Sequence, residues 1–137
     1  MTGFEQDMAA LLGPQVVGDE LEDAVVEGFG FDAFVALARS LAVTEAELAQ
    51  VIDIPRRTLA RRRRGKLSSA ESDRLARVAR VTARAEHVFG SRQKAVIWLG
   101  RPNRGLSGAT PLSRLGTDLG TASVEAILGR IVHGIFG

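Results

Sequence analysis

The chain has no cysteine and no tyrosine, and only Lys66 and Lys94 are lysines among its eighteen basic residues. Without cysteine there is no disulfide framework and no thiolate metal site. Aromatic residues occupy 5% of the 137 positions, and Trp98 is the single tryptophan. That scarcity, together with abundant alanine, favours helices over a β-sandwich. No apolar run approaches the roughly 18 residues that span a bilayer. The first residues carry Glu5 and Asp7 without a basic stretch, so they do not read as a signal peptide. A cytoplasmic protein is expected. Catalytic groupings are missing too. His87 and His133 lie far apart without companion ligands, and neither has a serine or carboxylate arrangement beside it. Gly100, Gly105 and Gly108 lack the Gly-Lys-Ser/Thr ending of a phosphate loop and read as turn glycines. No enzyme activity, metal or cofactor is expected.

What is present is a strong asymmetry of charge. Residues 1–53 hold eleven Asp and Glu against Arg39 alone, a net charge of −10. Residues 54–114 hold sixteen Arg and Lys against Glu71, Asp73 and Glu86, a net charge of +13. The formal total of +2 hides both blocks. A basic block of this kind points to a polyanion partner. The pI of 9.9 says less, because almost nothing in the chain titrates between neutrality and that value.

The length fits one domain, or two small halves sharing a core. Residues 1–19, with Gly3, Gly13, Pro14 and Gly18, read as a flexible or loosely packed arm. Leu21, Ala24 and Val25 suit a short helix ending at Gly28. Asp32 can cap a second, with Phe34, Leu37, Ala38 and Leu41 inward. Thr44-Glu-Ala-Glu47 has the form of a capping box opening a third. Pro55 suits the first turn of a fourth, which Gly65 ends. A long helix is expected over about 69–89, stopped by Gly90, with further helices over 91–99, about 111–118 and 122–136. No strand pattern or internal repeat is visible. The expected architecture is all-helical: an arm at 1–19, a helix-turn-helix module at 20–68, and a connecting helix with a small helical module at 69–137.

Thr44 to Arg64 carries the nucleic-acid signal. Leu48, Ala49, Ile52 and Ile54 precede a short break and Leu59 follows it, the spacing of a helix-turn-helix. With Leu59 inward, Arg57, Arg61 and Arg64 fall about 160°, 200° and 140° away, on the opposite face. Thr58 flanks them. Three guanidinium groups then project from the side that a recognition helix presents to DNA, where arginine pairs with guanine or phosphate. Arg56 and Lys66 are placed to reach phosphate, which positions without specifying. The competing reading is a solvated face, or pairing with the acidic block.

The C-terminal segment holds much apolar surface. Val124, Ile127, Leu128, Ile131, Val132, Ile135 and Phe136 follow the spacing of a core-facing stripe. A stripe this broad implies packing on its own core or on another protein, and self-association with it. Before it stand Trp98-Leu99, the Pro102-Asn103 turn, the Leu106-Ser-Gly108 step and Thr110-Pro-Leu112; within it lie Leu128-Gly-Arg-Ile131 and Gly134. Taken in order, these motifs over roughly residues 30–137 resemble the toxin-binding domain of the Xre/MbcA/ParS antitoxins, partners of RES-domain toxins.

The resemblance implies an antitoxin. Its C-terminal module would bind a RES-domain toxin, an enzyme that breaks down NAD, and block the entrance to the NAD pocket. Its helix-turn-helix would bind operator DNA and repress the operon that encodes both proteins, as a homodimer within a larger complex. Candidate toxin contacts are Trp98, Arg101, Asn103, Leu106, Arg130, His133, Ile135 and Phe136, with the chain end as the blocking element. Trp98 can equally be a core residue, and the loop from Arg101 to Leu106 an ordinary connector. The long acidic N-terminal region is not settled by the family pattern. A stand-alone helix-turn-helix regulator with a helical dimerisation domain is the alternative.

Overall fold

The computed structural model describes residues 3–14 and 20–134. Among them the regular elements are all helical: α1 (Gly3–Leu12), α2 (Glu20–Glu27), α3 (Phe31–Ser40), α4 (Glu45–Val51), α5 (Arg56–Arg62), α6 (Ser69–Phe89), α7 (Arg92–Leu99) and α8 (Asp118–Gly134). Two short 3-10 turns, Arg104–Leu106 and Leu112–Arg114, link α7 to α8. The 3.6-residue periodicity and the capping residues produce this pattern. Thr44 Oγ1 accepts from the Glu47 N–H at 3.0 Å while Glu47 accepts from the Thr44 N–H at 3.1 Å, closing the capping box of α4. The Thr44 N–H, and after it the Thr44 hydroxyl, favour the ionised carboxylate and hold the Glu47 pKa below its ordinary value. Gly90, at φ 82°, ends α6 in the left-handed conformation that suits glycine.

The long helix α6 is the spine. It packs against α1, α2, α7 and α8, and its buried face runs through Leu75, Val78, Ala79, Val81, Thr82 and Ala85. One continuous cluster of buried side chains extends from Met8 through Phe34 and Leu48 to Leu128. The helix-turn-helix and the C-terminal helices therefore share a core.

Several expectations change. Residues 3–12 are not a loose arm: α1 packs on α3 and α6 and buries Met8, Leu11 and Leu12. Full burial of such side chains contributes about 1.5–3 kcal/mol each. Asp32 lies in the first turn of α3, and Gly30 takes the N-cap position without a side-chain cap. The segment 111–118 is not a helix but a 3-10 turn, and α8 begins at Asp118 instead of 122. The apolar stripe of α8 is turned inward: Val124, Ile127 and Leu128 are buried in the chain's own core, Ile131 half-buried. Val132 of the same stripe is 45% exposed. Ile135 and Phe136 lie outside the described residues.

Candidate functional site

The arginine-rich helix α5 is fixed by its neighbours. After α4, Asp53 adopts φ 58°, a left-handed turn residue. The Ile54 N–H then bonds Ala49 O at 2.8 Å, and Pro55 starts α5. Leu48, Ile52, Ile54 and Leu59 bury the inner side of this corner. From α6, Arg74 Nε donates to Ile52 O at 2.6 Å, so a charged donor holds the last carbonyl of the corner. Beyond α5 the chain is zipped to the α2–α3 loop: Leu67 N bonds Phe29 O at 2.8 Å and Phe31 N bonds Gly65 O at 3.2 Å. Gly28, at φ 97°, permits this, because a Cβ there would collide with the Leu67 carbonyl.

The arginine run divides into two groups. Arg62 and Arg63 face the protein. Arg62 donates from Nε to Glu71 Oε1 at 2.9 Å and from a terminal nitrogen to Oε2 at 3.3 Å. Arg63 reaches Glu45 at 2.8 Å and lies over the Phe31 ring at 5.3 Å. Arg56, Arg57, Arg61, Arg64 and Lys66 are exposed and make no ion pair among the described residues. Arg61 contacts only the Thr58 hydroxyl, at 3.4 Å. The opposing-face geometry of Arg57, Arg61 and Arg64 thus coincides with exposure. The acidic-block alternative accounts for Arg63 alone, through Glu45.

Glu71 is the carboxylate that sequence reading passed over. It is 6% exposed and completes a second capping box, Ser68–Glu71, by accepting from the Ser68 N–H at 2.8 Å. Burial pushes its pKa up, but the Arg62 bond, the Ser68 N–H and the Arg62 charge outweigh that and leave it lowered. The signal was in the sequence: Ser-x-x-Glu before a periodic run. One side chain thereby joins the end of α5 to the start of α6.

In the C-terminal module the candidates separate in the same way. Trp98 is half-buried, its ring 5.5 Å from that of Phe89, and packs against the core edge between α6 and α7. Asn103 organises its own turn. Its Oδ1 accepts from the Gly105 N–H at 2.8 Å, and its carbonyl accepts from the N–H groups of Leu106 and Gly108 at 3.0 and 2.9 Å. Leu106 is 3% exposed and belongs to the core, so it is not a rim anchor. A leucine in a polar loop looks available in sequence, but here the turn folds it under α8. Arg101, Arg130 and His133 are exposed and stand on the outer surface of this module.

The module is seated on the helix-turn-helix. Gly116 approaches Val51 so closely that a Cβ would stand 2.5 Å from its carbonyl oxygen, and Arg77 donates to Gly116 O at 3.4 Å. Arg80 and Arg84 both reach Glu125 of α8, at 3.4 and 3.7 Å.

Comparison with known proteins matches this division of the chain. Residues 20–80 match the antitoxin Xre-like helix-turn-helix domain. Residues 84–134 match the antitoxin Xre/MbcA/ParS C-terminal toxin-binding domain. An antitoxin Xre of Pseudomonas putida is 40% identical over 135 residues, covering 96% of this chain and 84% of the relative. An antitoxin Xre of Yersinia enterocolitica is 35% identical over 126 residues, covering 90% and 85%. An antitoxin Xre of Photorhabdus laumondii is 39% identical over 94 residues, covering 66% and 64%. With a helix-turn-helix domain followed by a toxin-binding domain on one helical core, the chain belongs to the Xre family of antitoxins.

Proposed function

We propose that this antitoxin neutralises a NAD-degrading RES-domain toxin by covering its NAD pocket, and that as a cytoplasmic homodimer it represses its own operon. The toxin arm is supported by the family match over residues 84–134. Arg101, Arg130 and His133 are the contacts this reading assigns there, and Ile135 and Phe136 the pocket-filling end. The observation that carries the DNA arm is the sorting of the basic run. Arg56, Arg57, Arg61, Arg64 and Lys66 stay exposed and without acidic partners among the described residues, while Arg62 and Arg63 are paired with Glu71 and Glu45. Exposed arginines on a helix backed by a rigid corner suit the major groove. Arg–phosphate contacts make such binding fall steeply with salt.

The chain would perform no chemistry of its own. It would act by occlusion at one end and by charge at the other. The test is co-expression with the protein of the neighbouring reading frame. A stable complex that preserves cellular NAD, and binds the upstream DNA with a steep salt dependence, is expected. A chain that binds DNA but neither captures the neighbouring protein nor protects NAD would be a stand-alone regulator. Deleting residues 134–137 should leave the complex intact and raise NAD loss.

A further inference from the structure

The chemistry that α5 can offer to a base edge is one-sided. The helix reads Arg56-Arg-Thr-Leu-Ala-Arg-Arg62 and carries no Asn, Gln, Asp or Glu. Asn and Gln are the side chains that pair bidentately with adenine, and Asp and Glu those that accept from cytosine. Leu59 is buried. Thr58, the one side chain of α5 with an acceptor, is half-buried and already accepts from Arg61. The outer face is left to donate. In the major groove, guanine is the base whose edge offers two acceptors, O6 and N7, and no donor. Arginine, with its donors in a fixed planar fork, matches that pair bidentately.

Position decides which arginines can use this match. Arg57 and Arg61 stand four residues apart, exposed, on the face opposite buried Leu59. Their separation along the helix is about 6 Å, against roughly 3.4 Å between successive base pairs. Both therefore fit within three successive base pairs. Ala60 is exposed beside them and too short to hold the helix off the base edges. Arg61 is also braced, since a terminal nitrogen donates to the Thr58 hydroxyl at 3.4 Å. That contact uses one of the five N–H donors of a guanidinium and leaves the others for a base. A side chain held in place beforehand loses less freedom on binding. Arg56, at the first position of α5, and Lys66, beyond its end, flank this pair and suit the phosphates on either side.

We propose that Arg57 and Arg61 each read a guanine, so that the DNA recognised carries at least two guanines within three successive base pairs. The proposal rests on the DNA-binding reading above and names the sequence class that reading leaves open. A core of adenine and thymine fits less well. Adenine shows a donor, its N6 amino group, where guanine shows O6, and that amino group would face the arginine N–H groups donor against donor.

The experiment is selection of duplexes from a random library on the full chain, followed by anisotropy titration at fixed salt. The selected sequences should share two guanines within three successive base pairs. Replacing either guanine by 7-deazaguanine keeps the base pair and deletes the N7 acceptor, and should weaken binding by at least about fivefold. In Arg61→Ala that penalty should vanish at one guanine and persist at the other, with Arg57→Ala giving the complementary pattern. Arg56→Ala should weaken binding to every duplex alike and leave both penalties in place. All three side chains are exposed, so the variants should keep the parent melting temperature. Selected sequences without the two guanines overturn the proposal, as do 7-deazaguanine penalties that Arg57→Ala and Arg61→Ala leave unchanged. Equal binding of all duplexes with a steep salt dependence overturns it as well, and leaves the DNA reading standing with the arginines on phosphates. Failure to bind any duplex at low salt would overturn the DNA reading itself.

Discussion

Two arginine-rich helices follow one another in this antitoxin, and they use the same side chain oppositely. On α6, Arg74, Arg77, Arg80 and Arg84 all have acceptors within the protein: Ile52 O, Gly116 O with Asp73, and Glu125 twice. On α5 and just beyond, Arg56, Arg57, Arg61 and Arg64 have no acid or carbonyl to bind among the described residues. Spacing along the helix does not make the difference. What makes it is what the fold places opposite. The arginines of α6 face backbone carbonyls at the ends of other elements and a carboxylate on α8, so they fasten modules together. Arg56, Arg57, Arg61 and Arg64 make no ion pair among the described residues, which is what the proposed DNA reading rests on.

The contrast can be broken at several points. The largest effect is expected from replacing Arg57 and Arg61 together by Ala. Operator affinity should fall by roughly 1–3 kcal/mol for each base contact removed, with the salt dependence flattened and the melting temperature unchanged. Fluorescence anisotropy across a salt series reads both quantities. The reverse pattern is expected for Arg74→Ala. The charged bond onto Ile52 O goes, and stability should drop by about 1.5–3 kcal/mol, measured by urea unfolding. DNA binding would suffer only as far as the corner loosens.

Glu71→Gln tests the tie between the two helices. The Glu71 pKa is lowered from its ordinary 4.5, so its contribution is fully present above that value. It is lost as pH falls below 4.5 and through the lowered native value. The variant should be less stable at neutral pH by about 1–2 kcal/mol and show a weaker further loss on acidification. Identical pH profiles for variant and parent would remove Glu71 from the account. The smallest effect is expected from Asp53→Gly. Glycine takes the left-handed conformation without the roughly 1 kcal/mol cost to other residues, partly offset by its greater unfolded freedom. Stability should rise slightly. Asp53 also shares a surface groove with Arg56, so removing its charge should strengthen DNA binding a few-fold.

Much of the fold was legible because its signals are local. The Thr44–Glu47 capping box, Pro55 and Gly90 sit where their backbone chemistry demands. The outward face of Arg57, Arg61 and Arg64 followed from Leu59 alone. Signals that depend on distant partners were not legible. Nothing in the run Arg61 to Arg64 separates Arg62 and Arg63 from their neighbours until Glu71 and Glu45 are brought to them. Leu106 looks like a rim residue until its turn folds beneath α8. The burial of α1 was hidden by glycines and acids around Met8, Leu11 and Leu12, although those residues recur at helical spacing. The breadth of the α8 stripe was visible, but which surface it covers is a tertiary fact.

The spine α6 also works as a ruler. It starts beside the Arg62–Glu71 link and ends where Phe89 meets Trp98, 21 residues later. At 1.5 Å per residue that is roughly 30 Å, close to the ~34 Å of one turn of duplex DNA. The rigid core on both flanks keeps that distance from varying. The Trp98 end of the C-terminal module and the exposed arginines of α5 are thus separated by about the width of a small domain. In the function proposed above, capture of a toxin at one end would then not require release of DNA at the other.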